Sequence, residues 1–218
     1  MITNQTTDEV RVDAPQRSQI AFGIKTAKSF FYLLALPRIV CYRISCLLLG
    51  SRAFLSSSES IARVPGLRGV YLRQAFYQSN LSACGNDVYF GWLSVMSMTE
   101  ACLADRVYIG RYCSLGFADI GEDVMLADGV QILSGGHEHG DDAGSDESMH
   151  DQGQTYQRVR IGAKSWIGAG AIVMADVGEN CIIGAGSVVN KPIPANSVAV
   201  GVPAKVIKSR KDNHQSKA

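Results

Sequence analysis

From residue 103 onward, aliphatic residues recur at six-residue intervals, and the residues between them repeat one template. The blocks LADRVY (103–108), IGRYCS (109–114), IGEDVM (120–125), LADGVQ (126–131), IGAKSW (161–166), IGAGAI (167–172), VGENCI (177–182) and IGAGSV (183–188) each open on Ile, Leu or Val and continue with Gly or Ala. Their fifth residue is small or β-branched (Val107, Cys113, Val124, Val130, Ser165, Ala171, Cys181, Ser187). Six residues make one short strand and one tight corner, and three such units close a triangular coil of about 18 residues. The first residue of each block is expected to point into the prism and the fifth to fit beside it near a corner. The second, Gly or Ala, is expected at a corner with unusual backbone angles and close approach. A coil buries its apolar ring only by stacking on another, so several are required. A sandwich would alternate with period two and turn every 8–12 residues, which a strict period of six does not match. The pattern predicts an all-β parallel β-helix.

The period fails in three places. Leu115 to Ile120 is five residues, read as a pinched corner, and Val173 to Val177 is four, a shortened coil. Between Ile132 and Ile161 lies a polar excursion that cannot fill an aliphatic interior, GGHEHGDDAGSDESMHDQGQTYQR, predicted as a loop extruded over 134–158.

Before residue 80 the pattern is different. Residues 1–19 are polar and read as a flexible lead, without the look of a secretory signal. Residues 20–79 read as an apolar and basic helical segment, with FFYLLAL (30–36) and CLLLG (46–50). Pro37 and Arg38 interrupt its longest apolar run, which leaves it short of the roughly 18 residues a spanning helix needs. Residues 20–55 are expected either to pack as a pair of helices on the main domain or a partner subunit, or to lie on an anionic membrane surface. The β-helix is expected over 80–207, with a tail over 208–218.

Charge sharpens this division. The whole chain is near neutral at +1, which argues against a dedicated nucleic-acid binder. Residues 1–78 nevertheless carry a net +6 and the remainder −5, with no carboxylate between Asp13 and Glu59. The six cysteines show no CxxC spacing and read as core thiols of a reducing, cytoplasmic compartment.

Chemistry concentrates in the excursion. Three of the four histidines, His137, His139 and His150, lie there. An imidazole accepts a proton near neutral pH, as a hydroxyl attacking a thioester requires. The backbone of Ser134, Gly135 and Gly136 is placed to offer N–H groups to an oxyanion, and Glu138, Asp141 and Asp142 are near enough in sequence to orient a histidine.

ILSGGH (132–137), VRIGAKSWIGAGAIVM (159–174), IIGAGSVVNKPIP (182–194) and VGVPAKVIKSR (200–210) together resemble the hexapeptide-repeat acetyltransferases. The nearest groups are the maltose and galactoside O-acetyltransferases, the xenobiotic acetyltransferases that modify streptogramins, and the acyltransferases of polysaccharide biosynthesis. The resemblance covers about residues 80–210. It implies a left-handed β-helix, homotrimers, and direct transfer from acetyl-CoA to a hydroxyl of a sugar or saccharide intermediate. It implies His137 as general base, with His139 second in line. It implies coenzyme contacts at Trp166, Gly168, Ala169 and Ala185 along the pantetheine arm, and at Asn190, Lys191, Lys205 and Lys208 towards the adenine and phosphates. No metal is implied. Residues 61–91 look like the lead-in of acyltransferases from exopolysaccharide or lipopolysaccharide pathways, which implies an acceptor made at the inner membrane face. Two other readings use the same prism. A γ-type carbonic anhydrase needs three suitably spaced histidine ligands to zinc, and the spacing of His137, His139 and His150 does not resemble that family's. A non-catalytic scaffold subunit would have no use for a histidine beside Gly-Gly.

Overall fold

The structure is a computed structural model that describes residues 21–50, 52–136, 138, 146, 148 and 151–211, without the side chains of 21–27. Sixteen short strands follow three helices, and all strand pairs but the last are parallel.

The strands form three faces of a prism. One face orders β1 (Ala83–Cys84), β4 (Cys102–Leu103), β7 (Ala118–Ile120) and β10 (Val159–Ile161). The second runs from β2 (Tyr89–Phe90) through β5 (Tyr108–Ile109), β8 (Met125–Leu126), β11 (Trp166–Ile167), β13 (Ile182–Ile183) and β15 (Ser197–Val200) to β16 (Lys205–Ser209), which turns back antiparallel. The third comprises β3 (Val95–Met96), β6 (Ser114–Leu115), β9 (Gln131–Ile132), β12 (Ile172–Val173) and β14 (Val188–Val189). This is the expected left-handed parallel β-helix.

The register explains the period. Phe90, Ile109, Leu126, Ile167, Ile183 and Ala199 stack as one buried ladder, each paired with the next rung. Met96, Leu115, Ile132, Val173 and Val189 make a second ladder, and Leu103, Ile120, Ile161, Val177 and Ile193 the third. Each such side chain contributes about 1.5–3 kcal/mol through removal from water. The eight small fifth-position residues are likewise buried. The polar ones among them have partners: Ser165 Oγ donates to the Gly178 carbonyl at 2.9 Å and accepts from the Cys181 amide at 2.9 Å. Coils are shorter than the expected 18 over most of the prism. Ile109 to Leu126 is 17 residues and Ile167 to Ile183 is 16, because the five- and four-residue steps remove corner residues while the rungs stay in register.

The corner geometry corrects one expectation. The left-handed backbone falls at the fourth residue of each block, not the second: Arg106, Tyr112, Asp123, Lys164 and Asn180 have φ between 53° and 60°, and Gly129, Gly170 and Gly186 share that sign. The second residue is small for the other reason given, close approach. A Cβ on Gly168 would lie 2.5 Å from the Ala185 amide nitrogen of the next coil, and one on Gly110 2.6 Å from the Ala127 carbonyl carbon.

The described part of the helical segment contains three helices: α1 (Ala21–Leu49), α2 (Arg52–Ala62) and α3 (Gly66–Asn80). Pro37 sits inside α1 without ending it, and its Lys28–Leu49 stretch of 22 residues is by length and composition long enough to cross a membrane. The apolar run is therefore longer than its interruption by Pro37 and Arg38 implied. Ala35, Ile39 and Tyr42 of α1 pack inward, Tyr42 meeting Phe76 and Phe54 edge-on at 5.5 and 5.9 Å. Buried polar links join the helices to the first coil. Arg73, 1% exposed, donates to the carbonyls of Phe90 at 3.0 Å and Val64 at 2.8 Å, and burial lowers its pKa. Ser58 bridges the Tyr77 hydroxyl at 2.7 Å and the Met96 amide at 2.9 Å. Burial pushes the Tyr77 pKa up to about 12, so its hydroxyl stays protonated.

Candidate functional site

The polar excursion leaves the third face after β9 and rejoins the prism at β10. Its two ends are tied to each other: the Gln157 amide donates to the Ser134 carbonyl at 2.7 Å. Ser134 is buried, and its Oγ accepts from the Phe117 amide at 3.1 Å. That bond crosses to the residues just before β7, where the five-residue step lies. The Ser134 amide donates to Glu138 Oε1 at 2.6 Å, so among the three amides expected to face an oxyanion, this one already has an acceptor. Gly135 needs its glycine, since φ is +98° and a Cβ would lie 2.8 Å from Gln157 Cβ. His137 itself, with His139 and His150, lies outside the described residues, as do Asp141 and Asp142.

A pocket of about 340 Å³ opens at this root, bounded by Gly135, Gly136, Arg158, Met174, Asn190 and Pro192 among others. The short step from Val173 to Val177 supplies Met174, Ala175 and Asp176 to its wall. The corner after β14 supplies Asn190. Asp176 also borders a larger groove of about 690 Å³ along the first face, where Ile120, Ile161 and Gly162 form an apolar floor. The pocket at the loop root and the long groove therefore share a wall.

Arg158, Asp119 and Asp176 are the residues that sequence reasoning missed. Arg158 pairs with Asp119, and its guanidinium lies 4.2 Å from the Phe117 ring centroid. The Asp119 carboxylate holds the Arg158 pKa above its ordinary value. The Arg160 amide donates to Asp176 Oδ1 at 2.8 Å. For Asp176 the signal was the four-residue step from Val173 to Val177, in which it lies; the Arg158–Asp119 pairing left none.

The expected coenzyme contacts divide between the two edges of the third face. Asn190 stands beside Gly135 and Gly136, with Lys191 next to it and exposed. At the opposite edge, Ala169 and Ala185 sit exposed on successive coils, just beyond the paired Ile167 and Ile183. The Gly168 amide is committed to the Ile183 carbonyl at 2.8 Å. Trp166 lies half exposed on the second face, where it and Ala169 border a depression of about 310 Å³ with Tyr108, Met125 and Asp128. Lys205 and Lys208 are exposed on β16, opposite Val200 and Val198.

Three stacked ladders, a period of six and a loop leaving one coil define the class: the prism is a hexapeptide-repeat left-handed β-helix of the kind found in O-acetyltransferases. Residues 158–191 match the family model for the bacterial transferase hexapeptide (six repeats). The chain is 36% identical over 96 residues to the galactoside O-acetyltransferase of Escherichia coli, covering 43% of this chain and 44% of that protein. It is 37% identical over 97 residues to the galactoside O-acetyltransferase of Lactococcus lactis, covering 43% and 44%. The chain spans about half the length of the curated relatives it matches. Among solved structures, a maltose O-acetyltransferase from Clostridium difficile superposes with a TM-score of 0.66 at 28% identity, over 75% of this chain and 88% of that one. A galactoside acetyltransferase in complex with coenzyme A shares the fold, with a TM-score of 0.62 at 22% identity over 77% and 86%.

Proposed function

We propose that the chain transfers an acetyl group from acetyl-CoA to a hydroxyl of a sugar or saccharide intermediate, with His137 as general base. The observation that carries this reading is the pocket at the loop root. Its wall includes Gly135 and Gly136, the two residues that precede His137 in the chain, together with Asn190. In the proposed reaction the acceptor oxygen attacks the thioester carbonyl carbon while His137 takes the hydroxyl proton. The oxyanion collapses, the C–S bond breaks, and the proton passes from His137 to the departing sulfur. The Gly135 and Gly136 amides are the proposed oxyanion donors, since the Ser134 amide bonds Glu138. Acetyl-CoA is proposed to run from this pocket past Ala185, Ala169, Gly168 and Trp166, with Asn190, Lys191, Lys205 and Lys208 meeting its polar groups. The relatives named for galactoside and maltose acetylation support a saccharide acceptor. A homotrimer in the cytoplasm, acting on a lipid-linked saccharide at the inner membrane face, completes the reading.

The test is His137→Ala, assayed by free-thiol release across saccharide acceptors. A fall of about 10²–10⁴-fold is expected, with coenzyme binding and assembly unchanged. Retained activity with loss in His139→Ala would move the base by two residues. Absence of thiol release with every acceptor in the wild type would favour a scaffold subunit.

A further inference from the structure

We propose that Arg158 is a positioning residue for the transfer reaction, clamped between Phe117 and Asp119 so that it fixes the root of the loop that carries His137. The inference rests on the reading of His137 as base and adds the means by which so long a loop holds it in place.

A long loop keeps its backbone freedom unless its root is pinned. The residues just past this root supply little restraint of their own: Gly135 and Gly136 precede His137, and a Cβ on Gly136 would meet nothing within 4 Å. Orientation must come from Ser134 and from the returning chain at Gln157 and Arg158. Phe117 meets both ends. Its amide donates to Ser134 Oγ at 3.1 Å, and its carbonyl accepts from the Val159 amide at 2.9 Å. A Cβ on the neighbouring Gly116 would stand 2.4 Å from Ser134 Oγ, so the loop seats directly on this corner. The Arg158 guanidinium covers the Phe117 ring, 4.2 Å from its centroid.

The choice of ion pair points the same way. Strand register sets Arg160, not Arg158, opposite Asp119. Arg160 Nε nevertheless stays 4.0 Å from that carboxylate, while its amide and guanidinium reach Asp176 at 2.8 and 3.8 Å. Asp119 makes its close contact with Arg158 instead, diagonally towards the loop root. The Arg158 and Asp119 side chains are 28% and 33% exposed, against 51% and 60% for Arg106 and Arg111 in their ion pairs. A pair shielded to that extent is screened less than one at the open surface. Arginine suits the place because a planar guanidinium stacks on a ring and donates to a carboxylate at once, which an ammonium does not. Arg158 also borders the pocket with Gly135, Gly136 and Asn190, so a displaced root moves the pocket wall as well.

The experiment uses the full chain, thiol release from acetyl-CoA with maltose or a galactoside as acceptor, and amide exchange. Arg158→Gln is expected to lower kcat about 10–10²-fold with KM for acetyl-CoA unchanged. The Phe117 and Gln157 amides should lose protection while the ladder amides keep theirs. A merely structural role would lower the melting temperature and leave kcat alone. Arg158→Lys, which keeps the ion pair without the stacked plane, is expected to recover part of the rate. Asp119→Asn should lose about as much as Arg158→Gln, with no further loss in the double variant. In a His137→Ala background Arg158→Gln should add nothing, since the base it positions is gone. Additive losses there, a raised KM at unchanged kcat, or unaltered exchange at Phe117 and Gln157 would each overturn the clamp. Failure of the underlying reading looks different, because His137→Ala would then keep its activity.

Discussion

The prism and the helices that precede it bury apolar surface by opposite means. In the prism the inward residues stack on apolar residues of the neighbouring coils, so Ile109, Leu126, Ile167 and Ile183 form one buried ladder. In α1 the apolar residues encircle the helix, and the ones that find partners lie on the side of Phe31, Ala35, Ile39 and Tyr42, Phe31 stacking on Tyr71 at 5.2 Å. The same side-chain chemistry thus yields a finished core in one region and an unfinished surface in the other. A repeat sets its own neighbours, whereas a single helix needs another object to complete it.

That contrast makes predictions of decreasing size. Ile167→Ala, in the middle of a ladder, should cost about 2–5 kcal/mol, read as a lowered denaturant midpoint. Arg73→Met attacks the joint between the regions and strands the carbonyls of Phe90 and Val64. A cost of about 2 kcal/mol is expected, with the helices losing amide-exchange protection before the coils do. Equal loss of protection in both would show that they unfold as one unit. Lys164→Gly should do the reverse, raising the melting temperature through a gain of about 0.5–1 kcal/mol, because φ of +60° strains any residue with a Cβ. A lowered melting temperature would show that the corner is held by the side chain rather than tolerated despite it.

The ladders were legible because a six-residue period has few physical explanations, and each first and fifth residue named from the pattern is buried. Which residue takes the left-handed backbone was not legible. Glycine at position two and glycine at position four look alike in sequence, and only the structure separates close approach at Gly168 from positive φ at Gly170. The helices were harder still. Pro37 normally signals an interruption, yet here it lies exposed within α1, and a helix that is apolar all round does not announce which stripe is inward. Of the candidate site, the loop and its Gly-Gly root could be read directly. Arg158 and Asp119 could not, because their pairing spans 39 residues and depends on the shortened corner before β7.

The tie between Ser134 and Gln157 has a further consequence. Leu126 and Ile167 are 41 residues apart and still pair in the same register as rungs 16 or 17 residues apart. The column therefore does not sense how much chain is spliced in at that point. Segments of other lengths and compositions could be exchanged there like cartridges in a fixed socket, and descendants of one scaffold could change what they modify without relearning how to fold.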